Sequence, residues 1–167
     1  MKVRLTEYNP LWKSMYHEEC ERLYEILGQE IIKCEHFGST SVEGMKAKPV
    51  IDMMVIVRDI TQIDTYNSTF KNKNYDVAGE WGIKGRRLLR KGGENRTHHI
   101  HIYQFDNLEI DRHLKVRDYL RAHKQEVNNY NKIKEEITKN VDDTKIYRDK
   151  KHDYVKKLEE RAIKYFS

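Results

Sequence analysis

The spacing of hydrophobic residues changes twice along the chain, and these changes divide it into three parts. In the first part, apolar residues recur at helical spacing up to Gly28. Asn9 and Pro10 precede them, and this pair is typical of a helix start, because Asn accepts hydrogen bonds from free N–H groups and Pro fits the first turn. The pattern predicts one amphipathic helix between Pro10 and Gly28. Its apolar positions are Leu11, Met15, Leu23, Ile26 and Leu27.

The second part, up to residue 106, holds short apolar stretches between glycine-rich turns, and this pattern is typical of a sheet. In the last stretch, side chains alternate between two faces, so His99, His101 and Tyr103 share a face opposite to Ile100 and Ile102. A helix over 63–70, with its cap within 59–61, is expected to cross between the second and third strands. The predicted strands cover 31–37, 49–57, 75–78, 86–91 and 98–105.

The third part is helical throughout, with helices predicted over 108–123, 124–139 and 144–166. Two apolar stripes on these helices are expected to be buried. We therefore expect an α/β (α+β) fold in a single domain of residues 1–167, with a mixed sheet at about 1–106 and a helical portion at about 107–167. The stripes are Leu114, Val116, Tyr119 and Leu120, and then Tyr147, Tyr154, Val155, Leu158 and Ala162.

Composition and charge narrow the class of protein. The 167 residues are 38% hydrophobic and 35% charged, which suits one buried core under a highly solvated surface. The net charge of +5 favours contact with the phosphates of a nucleotide or of RNA, and it fits equally a solvated surface without such a partner. We expect no DNA partner, and the sequence does not indicate an oligomeric state.

The cysteines and the lengths of the apolar segments indicate the cellular compartment. Cys20 and Cys34 lack the spacing of a metal motif or of a disulfide framework, so we expect reduced thiols. No hydrophobic segment follows Met1, as a signal peptide would require, and no apolar run is long enough to span a membrane. We therefore expect a soluble, cytoplasmic protein without a membrane partner.

Small, hydroxyl-bearing residues follow the first predicted strand. A loop of this kind lets backbone N–H groups approach a phosphate and adds hydroxyl donors, although most such loops are ordinary turns. Asp52 stands inside the apolar second strand, where an unpaired charge is costly. Either it belongs to a binding site, or it forms a structural salt bridge with Lys48 or Arg87. The loop residues are Gly38, Ser39, Thr40 and Ser41.

The loop and the aspartate belong to a longer pattern. Phe37-Gly38-Ser39 is followed by twelve residues and then by Asp52-Met53-Met54, which is similar to the turn and the acidic strand of nucleotidyltransferases. Further matching segments are His36-Phe37-Gly38-Ser39-Thr40-Ser41-Val42, Gly44, Ala47-Lys48-Pro49, Ile51-Asp52, Gly85-Arg86-Arg87, His99-Ile100-His101, Arg117-Asp118-Tyr119-Leu120-Arg121, Tyr130, Lys134, Tyr147 and Lys150. With these matches over nearly its whole length, the chain resembles the GrpB-type (UPF0157-like) family of the nucleotidyltransferase superfamily.

The resemblance implies a nucleotidyltransferase-like fold and a pocket for a nucleotide or another phosphorylated small molecule. Nucleotidyl transfer uses carboxylates that hold Mg²⁺ against the phosphates. Asp52 matches the first carboxylate of the family pattern, but Met54 stands at the second position, and a thioether is a poor ligand for Mg²⁺. A later strand offers His99 and His101 where the third carboxylate would lie.

Two interpretations of this set follow. In the first, Asp52, His99, His101 and His36 hold a divalent metal, either Mg²⁺ or a borderline ion such as Mn²⁺ or Zn²⁺, and Asp52 and His101 are catalytic, with His101 as a general base. In the second, the histidines are structural and the pocket only binds its ligand. Glu43 replaces a Pro of the family pattern, which is expected to loosen the loop.

Basic residues supply candidate phosphate ligands, because guanidinium groups bind phosphates through two parallel hydrogen bonds. On the last helix, Tyr147, Lys150, Lys151 and Tyr154 share one face. We expect Tyr147 and Lys150 at the ligand, and we expect Lys151 and Tyr154 to pack on the fold with the lysine end in solvent. Each basic residue also fits a solvated surface. The basic candidates are Lys48, Arg86, Arg87, Lys91, Arg117, Arg121, Lys134 and Lys150.

Three functions follow from the sequence. The first is a nucleotidyltransferase-like protein that binds a nucleotide or phosphorylated small molecule between the Gly38 loop and Asp52 and transfers a nucleotidyl group. The second is a non-catalytic binding protein, for which family members fused to dephospho-coenzyme A kinase imply a coenzyme A or adenylate ligand. The third, RNA binding, ranks last because the sequence lacks an aromatic stacking motif and a concentrated basic stripe.

Overall fold

The structure of the protein is a computed structural model that describes residues 4–141 and 143–167. Helices and strands are interspersed up to residue 104, and three long helices follow. The α-helices are α1 (Leu11–Leu27), α2 (Ile60–Ile63), α3 (Asn67–Asn72), α4 (Leu108–Ala122), α5 (Lys124–Asn140) and α6 (Thr144–Tyr165). The strands are β1 (Ile31–Phe37), β2 (Ile51–Val57), β3 (Asp76–Gly79), β4 (Arg87–Lys91) and β5 (His98–Gln104).

The predicted strands and long helices are present, and the α+β fold class is confirmed. One predicted element differs, because the helix expected over 63–70 is divided into α2 and α3 by a 3₁₀ turn at Asp64–Tyr66. Asp59 caps α2, as expected, by accepting a hydrogen bond from the Thr61 N–H at 3.0 Å. The single-domain assignment stays a prediction.

The five strands form one mixed sheet in the order β1-β2-β5-β4-β3. β2 and β5 are parallel, and the other neighbours are antiparallel. In the parallel pair, Asp52 lies opposite His99 and Met54 lies opposite His101. Residues opposite each other in a ladder share a sheet face, so this register brings the aspartate and both histidines to the same side.

Helices cover both faces of the sheet. Ile100 and Ile102 pack in the cluster that contains the buried residues of α1, whereas Tyr103 packs with Met54 and Phe37 against α4. The alternation predicted for this strand is therefore confirmed. The two faces differ in chemistry, because the α1 face packs most of the buried apolar side chains and the α4 face carries Asp52, His99 and His101.

The last three helices enclose a further apolar cluster, to which the segment after β1 contributes Val42 and Met45. The stripes predicted on the first and last of these helices supply most of its side chains, among them Tyr119, Leu120 and Leu158. The last three helices thereby hold the loop that follows Gly38 in place through Val42 and Met45. None of the helices in the described part of the chain has the length and apolar content that crossing a bilayer requires.

A buried acidic side chain attaches α1 to the far strands. Glu19 is 0% exposed and accepts hydrogen bonds from Lys91 at 2.5 Å, from Arg22 at 3.3 Å and from the Tyr75 hydroxyl. Burial by itself raises the pKa of Glu19, but the hydrogen bonds from Lys91 and Tyr75 outweigh it and hold the pKa below its usual range. Glu19 is therefore a buried carboxylate whose partners come from three separate segments.

We expect Glu19→Gln to lower the free energy of unfolding by roughly 3 kcal/mol, because Lys91 would then be left beside a neutral amide. Urea unfolding of the purified protein measures this change. Glu18→Gln is the matched control, since Glu18 is the exposed neighbour on the same helix. Equal losses in the two variants would contradict the assignment.

Candidate functional site

The turn after β1 passes very close to Asp52. Gly38 has φ +73°, a conformation that glycine adopts without strain, and a Cβ atom at this position would lie 3.0 Å from Asp52 Oδ2 and 3.1 Å from Asp52 Cβ. A larger residue would therefore meet both a strained backbone and the aspartate side chain. The following residues, Ser39–Ser41, form a 3₁₀ turn that carries the predicted hydroxyls.

Asp52 contacts the histidines of the neighbouring parallel strand. Its Oδ1 atom lies 3.2 Å from His101 Nε2 and 3.8 Å from His99 Nδ1, and the carboxylate is 37% exposed. Burial alone would raise the pKa of Asp52, but the hydrogen bond from His101, together with the nearby His99 and Lys48, lowers it below its usual range. Asp52 is therefore an ionised, partly accessible carboxylate at neutral pH.

Arg86 fixes the proton position on His101. Its Nη1 atom lies 3.2 Å from His101 Nδ1, and an arginine only donates, so Nδ1 is the acceptor and Nε2 carries the proton that points to Asp52. Arg86 also donates to the carbonyls of Glu80 at 3.2 Å and Trp81 at 2.9 Å, and it is buried. The structure thus places this predicted phosphate ligand behind His101, where it orients the ring.

The donor set does not fit a pair of Mg²⁺ ions. Met54 occupies the second carboxylate position, and it is buried against Phe37 and Tyr103. Both ring nitrogens of His101 have partners in the fold. No group of three or more His, Cys, Asp or Glu side chains in residues 4–141 and 143–167 is arranged to hold a metal ion. A divalent metal at Asp52 stays a prediction.

The predicted ligand His36 lies on the opposite face of the sheet. Its ring stacks on Tyr16 of α1 at 4.9 Å, and its Nε2 atom lies 2.9 Å from Thr40 Oγ1. Burial, reinforced by the positive charge of Arg121, lowers the pKa of His36 to about 4. Strand alternation explains this placement, because His36 is adjacent in sequence to Phe37, which faces the Asp52 side.

Another histidine, His113 of α4, lies on the Asp52 side instead. Its ring centroid is 4.9 Å from that of Phe37, whose ring also contacts His101. Burial, with Arg112 and His101 nearby, lowers the pKa of His113 to about 4. Both His36 and His113 are therefore uncharged near neutral pH.

Lys134 of α5 holds the Gly38 loop from the helical side. It is 1% exposed, and its Nζ atom donates to Ser39 Oγ at 2.7 Å and to the Lys46 carbonyl at 2.8 Å. It also lies 4.1 Å from the centre of the Tyr130 ring. Burial, with the charges of Lys151 and Lys48, places the pKa of Lys134 well below its usual range.

Two more lysines surround Asp52. Burial lowers the pKa of Lys48, although Asp52 opposes the shift. Burial also lowers the pKa of Lys151 to about 8, and repulsion by Lys48 and Arg148 adds to this effect. Among the described residues, none of Lys48, Lys134 and Lys151 forms a salt bridge. The site therefore has an excess of positive charge over its single carboxylate.

The last helix presents a different lysine from the one predicted. Lys150 is exposed, whereas Lys151 lies 5.0 Å from the centre of the buried Tyr147 ring and is influenced electrostatically by Asp52. Of these two lysines, Lys151 is therefore the one that lies near Asp52, and the contact of Lys150 with a ligand stays a prediction. Lys151 is one turn after Tyr147, and this i, i+4 spacing places it over the ring.

The other predicted phosphate ligands are engaged elsewhere. Ser41 Oγ donates to the Gly38 carbonyl at 2.6 Å, and Thr40 contacts His36, so only Ser39 contacts a lysine of the site. Arg87 forms two hydrogen bonds to Asp64 at 2.7 and 3.2 Å. Arg117 and Arg121 of α4 contact the end of β1 and the loop instead. Arg117 binds Glu35, Asp118 and the His36 carbonyl, and Arg121 binds the Ser41 carbonyl.

The residues that sequence reasoning did not assign to the site are His113 and Lys151. Lys134 was among the basic candidates, and it belongs to the segments that match the family pattern. A signal for Lys151 was available in the repeated Tyr-x-x-x-Lys spacing of Tyr130 with Lys134 and of Tyr147 with Lys151 on two successive helices. No local pattern marks His113.

The family of the chain follows from comparison with known proteins. A family model described as GrpB protein matches residues 2–161. The chain belongs to the GrpB family. The UPF0157 protein YqkA of Bacillus subtilis (strain 168) is 42% identical over 162 residues, which are 96% of this chain and 47% of YqkA. This chain therefore spans about half the length of that relative.

Other members of the GrpB family agree with this assignment. The UPF0157 protein BH1888 of Halalkalibacterium halodurans is 30% identical over 161 residues, 96% of this chain and 82% of that protein. The crystal structure of the conserved protein GrpB from Enterococcus faecalis is 42% identical, covers 98% of this chain and 99% of its own, and has a TM-score of 0.93. A structure of the Cid1 poly(U) polymerase, at 12% identity and a TM-score of 0.47, is too distant to bear on activity.

The lowered pKa of Lys151 makes stability depend on pH. The unfolded lysine has a pKa of about 10.4, so between about pH 8 and 10 the unfolded chain binds more protons and the free energy of unfolding rises with pH. We expect Lys151→Gln to reduce this rise, as measured by urea unfolding at several pH values. Lys150→Gln is the control, and an unchanged slope in Lys151→Gln would disprove the buried-lysine assignment.

The contact with Arg86 predicts the tautomer of His101. In long-range ¹H–¹⁵N NMR spectra, the wild-type ring is expected to carry its proton on Nε2, and Arg86→Met is expected to raise the fraction with the proton on Nδ1. Arg87→Met, which changes the neighbouring arginine on the other face, should leave the tautomer unchanged. A wild-type ring protonated on Nδ1 would refute the geometry.

Proposed function

We propose that the protein binds the phosphate groups of a nucleotide or of another phosphorylated small molecule beside Asp52. The single observation that carries this proposal is a set of three neighbouring lysines without salt bridges among the described residues. Lys48 and Lys151 interact electrostatically with Asp52, and Lys134 interacts with both of these lysines. We refer to these three lysines as the lysine site. They come from the loop before β2, from α5 and from α6.

The electrostatics of the lysine site favour a multiply charged anion. Lys134 is buried and Lys48 and Lys151 are partly buried, so their mutual repulsion costs free energy in the unliganded protein, and a phosphate between them would recover it. Each lysine pKa would then rise toward its usual range, so binding would take up protons above about pH 8. Carbonyl and hydroxyl contacts already hold Lys134 in place, which lowers the entropic cost of binding.

Ser39 adds a hydrogen-bond donor to the lysine site. Its Oγ atom accepts a hydrogen bond from Lys134, so its own hydroxyl proton is free to point to a phosphate oxygen. The close approach at Gly38 keeps this serine and Asp52 in a fixed relation. The loop composition noted in the sequence therefore supports phosphate binding through one of its three hydroxyls.

Nucleotidyl transfer is the second candidate function, and the Gly38–Asp52 contact is the observation that favours it. Its metal, Mg²⁺, Mn²⁺ or Zn²⁺, would have Asp52 as its anchoring ligand. Met54 removes the second carboxylate, so two-metal chemistry lacks its usual ligands. Coenzyme A and adenylates are ligands to test under either function, whereas no contact of the described residues argues for RNA.

Thermal unfolding in the presence of ATP, CTP, GTP, UTP or coenzyme A tests the proposal, each with EDTA, Mg²⁺, Mn²⁺ or Zn²⁺. We expect at least one ligand to raise the melting temperature in EDTA, by roughly 5–10 °C at about a hundred times its Kd. The shift is expected to be lost in Lys48→Gln/Lys151→Gln and kept in Asp52→Asn. Lys156→Gln/Lys157→Gln removes the same charge from exposed positions of α6 and should retain it.

The outcomes separate the two functions. A shift that needs a metal and disappears in Asp52→Asn would favour nucleotidyl transfer, and pyrophosphate release from the same ligand would then be measured. No shift with any of these ligands would overturn both functions. If the ligand raised the melting temperature of both double variants equally, the stabilisation would not depend on Lys48 and Lys151, and the proposed site would be wrong.

A further inference from the structure

A second cleft, of about 880 Å³, lies on the other side of the Gly38 loop. Its walls are α1, residues 40–44 of the loop, α4 and the start of α5. Neither Asp52 nor any member of the lysine site lines it. We call it the α1–α4 cleft. It is therefore separate from the proposed phosphate site, although one loop forms a wall of both.

The α1–α4 cleft contains more positive charge than its carboxylates balance. Lys13, Arg121 and Lys124 line it, and none of the three forms a salt bridge within residues 4–141 and 143–167. Two carboxylates line the cleft. Glu35 is partly buried and already forms salt bridges with Lys33 and Arg117. Glu43, at the exposed rim, is the other carboxylate.

Arg121 is held in place without a salt bridge among the described residues. Its Nε and Nη2 atoms donate to the Ser41 carbonyl at 3.1 and 2.9 Å, which fixes the plane of the guanidinium group. Partial desolvation and repulsion by Arg117 lower the pKa of Arg121, although Asp118 and Glu35 oppose this shift, so an anion in contact with it would stabilise it. Because no described residue accepts a hydrogen bond from Nη1, this edge of the fixed guanidinium is suited to an oxyanion.

The remaining wall of the cleft is aromatic. Tyr8 and Tyr16 line it, and the Tyr16 ring is already fixed by stacking on His36. The two lysines lie on separate helices, Lys13 on α1 and Lys124 on α5, and both are exposed at the rim. A ligand's multiply charged anionic group can therefore contact lysines from two helices. The uncharged part of the same ligand would pack against the two tyrosines.

We infer that the α1–α4 cleft is a second binding site, for a small molecule that carries a multiply charged oxyanion group, with Arg121, Lys13 and Lys124 as its cationic contacts. A diphosphate and a polycarboxylate share this chemistry. The inference does not rest on the proposed function, because none of the residues that carry it belongs to the lysine site.

Amide ¹H–¹⁵N NMR titration with pyrophosphate, and separately with citrate, tests the inference. The titrations use the Lys48→Gln/Lys151→Gln variant, so that binding at the lysine site does not contribute. We expect shifts confined to the walls of the cleft, at residues 40–44, at 117–124 and around Lys13. The anion that binds more tightly identifies the phosphate or the carboxylate class.

The cationic contacts are tested in the same background. Adding Lys13→Gln and Lys124→Gln is expected to weaken binding at the cleft about ten-fold, since each removes a charged hydrogen-bond donor from an exposed position. Adding Lys156→Gln and Lys157→Gln instead removes equal charge from the exposed surface of α6 and should leave the affinity unchanged.

Two results would overturn the inference. The first is the absence of shifts in the cleft walls with both anions. The second is equal weakening by the α6 control, which would show attraction to net charge alone. Neither result bears on phosphate binding at the lysine site, because that binding is measured separately in the protein with Lys48 and Lys151 intact.

Discussion

The approach of the Gly38 backbone to Asp52 is the contact on which the rest of the site depends. Only a residue without a side chain leaves the carboxylate room, and the parallel pairing of β2 and β5 then places His99 and His101 beside it. Arg86 sets the proton of His101 toward the carboxylate. A fixed, ionised aspartate results, with a histidine donor on one side and a glycine turn on the other.

Unbalanced lysine charge is the second constraint. Natural proteins pair buried ammonium groups, because an unpaired one costs several kcal/mol. Here Lys48, Lys134 and Lys151 have no carboxylate in salt-bridge contact among the described residues, and two of them lie over tyrosine rings. An anion that supplied the missing charge would stabilise this arrangement, and this is the physical basis of the proposed phosphate binding.

One short loop separates two chemically different regions. Ser39 faces the lysine site, whereas Thr40 and Ser41 bond to His36 and to the backbone on the side of the α1–α4 cleft. Strand alternation divides the histidines in the same way, with His99 and His101 on one sheet face and His36 on the other. Arg117 and Arg121 of α4 consequently line the cleft, although the sequence suggested that they serve the Asp52 pocket.

Local patterns determined the strands, the long helices and the shared face of His99 and His101, whereas the pairing of the Gly38 turn with Asp52 was implied by the resemblance to nucleotidyltransferases. These features depend on alternation and on short spacings, which a sequence displays directly. Tertiary structure alone decided that Lys134 and Lys151 meet beside Lys48, that Arg86 lies behind His101, and that Arg121 faces a different cleft. The reason is geometric. The sequence around a residue shows on which face of a helix its side chain lies. The surface against which that face packs depends on elements that are far apart in the chain.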